Sequence, residues 1–273
     1  MESPDALLRL LAGETPPPER LVLCTVVDAS GSVPQRPGAR FALSASGRLV
    51  GTIGGGAVEA RCLETARELL STGGHRLVTL HLTRDLGMCC GGSLTLFLQA
   101  LEPAETLYLF GAGHVAKPLA ARAKELGFRV EVIDERPEWA NAERFPGADA
   151  LRVDDPVAVA GELAADARAA ICVVTHDHRL DQEIVERCLA LPVRYLGVIG
   201  SRRKAELFRQ RLLARGFPPA QVERLRCPMG VAIGAKTPEE IAISIVAELV
   251  AARRAAAGSR SPVLAVANDA SGK

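Results

Sequence analysis

The chain has 273 residues, of which 48% are hydrophobic, 24% charged and 4% aromatic, with a net charge of +1. That length accommodates two compact domains or one large one, and a near-neutral, ring-poor chain is a poor candidate for a broad nucleic-acid surface. No apolar run approaches the roughly 18 residues of a membrane span, and the amino-terminal MESPDALLRL lacks the basic start and apolar core of a signal peptide. Seven cysteines, an odd number, do not suggest a disulfide framework, so a reducing cytoplasm is the expected compartment.

In chain order, residues 4–13 pattern as a short amphipathic helix stopped by Gly13 and the Pro16–Pro18 run. Residues 20–28 form an apolar and β-branched strand that empties into the loop Ser30–Gly38, which holds Arg36. The segments FALS and RLV read as hairpin arms around Ala45-Ser46-Gly47. The run Gly51-Thr52-Ile53-Gly54-Gly55-Gly56 then leads into a helix over about 58–70, ended by Gly73-Gly74. Strands at 75–82 and 93–101 flank Met88-Cys89-Cys90-Gly91-Gly92, and Pro103 marks a boundary. Residues 1–103 are therefore expected to form an α+β domain.

From Leu107 the chain alternates strand and helix, which predicts a Rossmann-like domain over 104–257 with a mostly parallel sheet, in an α/β protein overall. Strands are placed at 107–110, 129–133, 150–153, 170–174 and 195–199, and helices at 114–126, 157–167, 180–190 and 203–215. The last helix, 238–256, opens on Thr237-Pro238-Glu239-Glu240, a capping box with proline at the first helical position. Residues 258–273 read as a flexible tail.

The strongest motif is Gly111-Ala112-Gly113-His114-Val115-Ala116 after the first Rossmann strand, a GxGxxA form of the dinucleotide fingerprint. Gly111 permits the tight turn, Gly113 lets a pyrophosphate approach the backbone, and Ala116 is small enough for helix–strand packing. Asp134 stands 23 residues beyond Gly111, near the usual place of the acid that binds a ribose hydroxyl. Two further loops follow carboxyl ends of strands, where open α/β sheets bind ligands: His176-Asp177-His178 with Asp181, and Ser201-Arg202-Arg203-Lys204. Three consecutive cations suit a phosphate; helix capping and a solvated helix face are the plainer alternatives. In the first domain, Gly54-Gly55-Gly56 carries a large entropic cost, which a close backbone approach to a ligand would explain. Glu59 serves either the helix dipole or a ligand's donors. Cys90 with Gly91 and Gly92 places a thiol on flexible backbone, although adjacent cysteines lack zinc-ligand spacing. Cys24, Cys62, Cys172 and Cys188 read as core residues. No nucleophile elbow, Walker lysine or HExxH motif occurs.

Together these loops resemble the XdhC/CoxI family of xanthine dehydrogenase accessory proteins. The resemblance rests on Gly31-Ser32-Val33-Pro34, GTIGGG with Glu59, Met88 with Cys90-Gly91-Gly92, FGAGHVA, Thr175-His176-Asp177-His178, Gly200 to Lys204, and Pro228 through Glu240. It implies a chaperone that binds molybdenum cofactor (molybdopterin or its dinucleotide form), supports its sulfuration and inserts it into a molybdenum hydroxylase of the xanthine dehydrogenase type. A cysteine desulfurase is a second implied partner, and a homodimer is expected. The cofactor-binding expectation covers Gly54, Gly55, Gly56, Glu59, Cys90, Gly91, Gly92, Gly111, Gly113, His114, Asp134, His176, Asp177, His178, Ser201, Arg202, Arg203 and Lys204, with Cys90 as the metal-facing thiol. The rival reading is an NAD-dependent oxidoreductase, supported by Asp134 and the glycine turn.

Overall fold

A computed structural model describes residues 19–87 and 91–258, which form two compact units dividing between Ala104 and Glu105. The helix expected at 4–13, Met88 to Cys90, and the tail beyond 258 lie outside the described residues.

The first unit contains β1 (Leu21–Ser30), β2 (Arg40–Ser44), β3 (Leu49–Thr52), α1 (Gly56–Thr72), β4 (His75–His81), α2 (Leu82–Leu86) and β5 (Ser93–Leu101). Its strands make one antiparallel sheet in the order β3-β2-β1-β5-β4. Alternation decides which face is covered: Val22, Cys24 and Val26 of β1 and Leu94, Leu96 and Leu98 of β5 point to one side. Helix α1 meets them with Val58, Cys62, Ala66 and Leu69, a stripe at helical spacing. Each fully buried leucine here contributes roughly 1.5–3 kcal/mol. Between Val26 and Asp28 the β1–β5 register shifts, and the Val26 N–H and C=O turn to Ala39 and Gly38. That bulge steers the chain into the 30–38 loop at the sheet's end.

The second unit contains β6 (Thr106–Phe110), α3 (Ala116–Glu125), β7 (Arg129–Ile133), β8 (Ala150–Arg152), α4 (Pro156–Glu162), β9 (Ala170–Val173), α5 (His178–Cys188) and β10 (Tyr195–Val198). It continues with α6 (Arg202–Ala214), α7 (Pro219–Arg224), β11 (Leu225–Arg226) and α8 (Pro238–Gly258). The sheet is parallel, in the order β11-β10-β9-β6-β7-β8. All residues of β9 and β10 are buried, as expected of strands covered on both faces. Leu107, Leu109 and Cys172 pack with α3 and α8 on one face, and Phe110, Ile171 and Val173 with α5 and α6 on the other. The α/β class, the N-terminal α+β arrangement and the Rossmann-like second half match the expectation.

Several boundaries differ. The helix expected over 157–167 stops at Glu162, because Leu163 turns extended and Asp166 builds a turn by accepting the Arg168 N–H at 2.8 Å. The helix expected from 114 starts at Ala116, leaving Gly113 to Val115 in the turn. The capping box at α8 forms, with Glu240 accepting the N–H groups of Lys236 and Thr237 at 2.7 and 3.1 Å. Those donors are thereby spent. Among the described residues no helix is long and apolar enough to cross a membrane.

Candidate functional site

In the first unit, three glycine-bearing loops converge at one end of the sheet. A Cβ on Gly92 would lie 2.5 Å from Ser32 O and 2.7 Å from Ser30 O, and one on Gly31 would lie 3.0 Å from Gly92 Cα. A Cβ on Gly54 would lie 2.8 Å from Pro34 Cβ. These glycines let the 30–32 and 91–92 segments touch backbone to backbone and let the Gly54 backbone pack on the Pro34 ring. Gly55 and Gly56 differ, since both have positive φ (70° and 59°) yet nothing stands within 4 Å of the Cβ position. Open space lies over them, at the amino end of the 17-residue helix α1, the kind of place that suits an anion or a flat polar ligand.

Glu59 holds this loop from below. Its Oε2 accepts Thr52 Oγ1 at 2.5 Å, Ile53 N at 3.0 Å and Gly55 N at 3.3 Å. The carboxylate is a fastener for the glycine run. Glu59→Gln should destabilise the first unit by about 1.5–3 kcal/mol, the usual worth of hydrogen bonds to a charged group. Urea unfolding checks the stability, and amide exchange at residues 53–56 should accelerate; unchanged exchange would remove the assigned role. Gly91 and Gly92 border the site, whereas Cys90 lies outside the described residues. The cysteines expected in the core are there: Cys24, Cys62, Cys172 and Cys188 are at most 1% exposed. Burial pushes the Cys188 thiol up to about 12, which makes it unreactive.

In the second unit, the order of strands reverses between β6 and β9. The chain proceeds from β6 to β7 and β8 on one side, and from β9 to β10 and β11 on the other. A crevice at the carboxyl ends is the consequence. The turns after β6, β9 and β10 supply Gly111–His114, Thr175–His178 and Gly200–Arg203 to adjacent positions along that edge. Gly111 has φ +103°, and its Cβ would stand 2.7 Å from Val174 O and 2.9 Å from Thr175 N. Gly113 has nothing within 4 Å, so its backbone is open to a ligand. His114, His176, His178, Arg202 and Arg203 are exposed. His176 and Asp177 also line a groove of about 280 Å³ with Glu135, Arg179, Leu180 and Glu183.

Asp134 is present at the end of β7, but its oxygens are occupied. Oδ2 accepts Ala112 N at 2.8 Å and Arg136 Nη2 at 2.8 Å; Oδ1 accepts Arg136 N at 3.1 Å and Nε at 2.8 Å. Burial works to raise this carboxyl, and the hydrogen bonds from Arg136 and Ala112 outweigh it, leaving the pKa below the ordinary value. The stabilisation is therefore complete above about pH 4 and is lost only as pH falls through the lower folded value.

Lys204 departs from the exposed phosphate-facing cation expected of it. It is 6% exposed, and its ammonium pairs with Asp181 and donates to Ile199 O at 2.7 Å. Thr175 Oγ1 donates to the other Asp181 oxygen at 2.6 Å. A buried ammonium needs these partners, so Lys204 ties the turns after β9 and β10 together. Ser201 and Asp177 are helix caps, accepting Lys204 N at 3.2 Å and Arg179 N at 2.6 Å. Both acids of His-Asp-His-x-x-Asp are thus committed, and among the described residues no three His, Cys, Asp or Glu side chains converge as metal ligands.

Sequence reasoning missed Arg136, Trp139 and Arg144. Trp139, the chain's single tryptophan, carries the Arg144 guanidinium 4.4 Å and that of Arg136 5.1 Å from its ring centre. His114 meets the ring edge-on at 5.4 Å. The signal was a lone Trp between arginines just after Asp134.

Comparison with known proteins fits this geometry. Residues 107–249 match the XdhC Rossmann domain, and residues 17–81 match the XdhC and CoxI family. The uncharacterized protein YqeB of Escherichia coli K12 is 35% identical over 240 residues, 86% of this chain and 44% of that protein. A probable xanthine dehydrogenase subunit of Bacillus subtilis 168 is 37% identical over 159 residues, 58% of this chain and 46% of that protein. This chain thus spans less than half the length of either. The molybdenum cofactor insertion chaperone PaoD of Escherichia coli K12 is 25% identical over 266 residues, covering 85% of this chain and 83% of PaoD. A Bacillus halodurans crystal structure, described as a xanthine dehydrogenase, shares the fold with a TM-score of 0.55 at 24% identity, over 96% of this chain and 98% of that one. With the Rossmann match covering more than half of its length and the amino-terminal match added to it, this chain belongs to the XdhC and CoxI family.

Proposed function

We propose that the protein is a molybdenum cofactor chaperone: it binds the cofactor, protects it, supports its sulfuration and inserts it into a molybdenum hydroxylase of the xanthine dehydrogenase type. The observation that carries this reading is the open crevice at the strand-order reversal, where Gly113 and the exposed Arg202 and Arg203 face outward while Asp134 is already saturated. A phosphate-bearing ligand finds donors there. A ribose diol finds no free carboxylate, which weighs against the NAD-dependent oxidoreductase. The names of two relatives, a molybdenum cofactor insertion chaperone and a probable xanthine dehydrogenase subunit, point the same way.

In this reading Gly113, His114, Ser201, Arg202 and Arg203 hold the phosphate end of a molybdopterin or of its dinucleotide form. In the first unit Gly55, Gly56 and Gly91 are the open backbone positions that suit a flat polar ligand, and Cys90 is the thiol proposed for the metal, since a thiolate is a soft ligand. The bound cofactor supplies the redox metal, and the chain's own residues hold, shield and release it. A cysteine desulfurase and the target hydroxylase are the partners, and the working form is a cytoplasmic homodimer.

The test is purification from a molybdenum-replete host, followed by acid oxidation and fluorescence detection of released pterin. Wild-type protein should carry pterin; Arg202→Ala with Arg203→Ala should lose most of it while remaining folded, and Cys90→Ala should lower retained molybdenum. NAD binding with hydride turnover, and no pterin, would overturn the reading.

A further inference from the structure

Residues 200–226 carry eight Lys and Arg against two Glu, and the crevice uses only part of this excess. Lys204 is buried in its ion pair, while Arg211 and Arg215 bond Gln182 and Glu186 on α5. Arg224 and Arg226 lie elsewhere. With Arg194 they line a pocket of about 130 Å³, closed by Val193, Leu196 and Ala252 among others. Arg194 immediately precedes Tyr195, the first residue of β10. The pocket therefore sits at the amino end of this strand, whereas the Rossmann crevice lies at the carboxyl ends.

The charges around it do not balance. Glu105 is shared between Arg194 and Arg253. Glu248, the next acid, accepts Tyr195 Oη and Gly230 N, both at 2.6 Å. Among the described residues Arg224 donates only to neutral carbonyls, those of Val193 at 2.7 Å and Leu191 at 3.2 Å. Arg226 is exposed and, among the described residues, makes neither hydrogen bond nor ion pair from its side chain. The Nε of Arg194 is buried without a hydrogen-bond partner, an arrangement that costs free energy unless something accepts from it.

We propose that this pocket binds a phosphate group, free or as a small monoester, at a second anion site separate from the Rossmann crevice. Guanidinium groups match tetrahedral oxyanions through paired N–H donors. A water needs about 10–15 Å³ of such volume, so the pocket holds several waters or one phosphate with a short substituent. Its apolar walls set no opposing acid against the anion.

The experiment uses the full chain and inorganic phosphate, with chloride at equal ionic strength as reference and glycerol phosphate as the monoester probe. Thermal unfolding and calorimetric titration read the binding. Phosphate should raise the melting temperature saturably. Arg226→Ala should leave the melting temperature in chloride unchanged and weaken phosphate at least tenfold, and Arg226→Lys should recover part of that loss. Arg202→Ala with Arg203→Ala, at the other end of the sheet, should keep this binding. Tighter binding of glycerol phosphate would support the site and mark its ligand as an ester; binding of phosphate alone would support it and mark the free anion. Wild-type affinity in Arg226→Ala, or loss confined to the Arg202/Arg203 variant, would overturn the proposal.

Discussion

Lys204→Met is expected to destabilise the second unit by about 3–5 kcal/mol, because it leaves the Asp181 carboxylate buried beside Thr175 with no cation. For a unit of this size that is a fall of roughly 6–20 °C in melting temperature. The same change should loosen the turns after β9 and β10, since Lys204 joins Asp181 of α5, which holds Thr175 of the first turn, to Ile199 O of the second. Adding Asp181→Leu should restore most of the lost stability, because removing both members of a buried pair is commonly near neutral. It should not restore pterin retention, because Thr175 loses its Asp181 acceptor and keeps only the Asp177 carbonyl. Urea midpoints of the three variants decide the matter; a loss below 1 kcal/mol in Lys204→Met would mean that water reaches Asp181 and the pair is dispensable.

The two turn glycines should separate folding from binding. Gly111→Ala meets the Val174–Thr175 peptide, with Val174 O at 2.7 Å and Val174 C at 2.8 Å, and must adopt φ +103°. Neither obstacle is the far end of a flexible side chain. The cost should exceed about 2 kcal/mol, from left-handed strain and overpacking together, and the protein should lose stability and pterin alike. Gly113→Ala enters open space at an ordinary φ, so its melting temperature should stay within about 2 °C, the shift expected for a surface change of ±0.5 kcal/mol. Its retained pterin should fall several-fold, because a methyl group occupies the phosphate's approach. Equal retention in Gly113→Ala and wild type would place the phosphate elsewhere.

What was legible in the sequence was local. Alternating Val22, Cys24 and Val26, the apolar strands β9 and β10, and the glycine turn each declare themselves within a few residues, and the structure keeps all of them. Helices α2 and α7 and strand β11 escaped because five, six and two residues hold too little periodicity to register. The site was legible as positions more than as roles. Glu59, Asp134 and Lys204 were recognisable as polar residues beside glycine turns; Glu59 finds Gly55 four residues away, but Ala112 and Asp181, the partners of Asp134 and Lys204, are chosen by tertiary approach. The distance from Ala112 to Asp134, 22 positions in sequence and 2.8 Å in space, has no local signature.

The bond from Ala112 N to Asp134 sets how a ligand arrives and departs. Because Asp134 and Arg136 already fix the turn from within, docking orders little backbone, and little conformational entropy is lost in the encounter. Association should then show a modest heat-capacity change, without the large signature of coupled folding. The same rigidity removes melting of the turn as a release mechanism. If the protein acts as the proposed chaperone, delivery comes from a competing surface that captures the ligand's exposed end, and the dwell time should shorten with acceptor concentration.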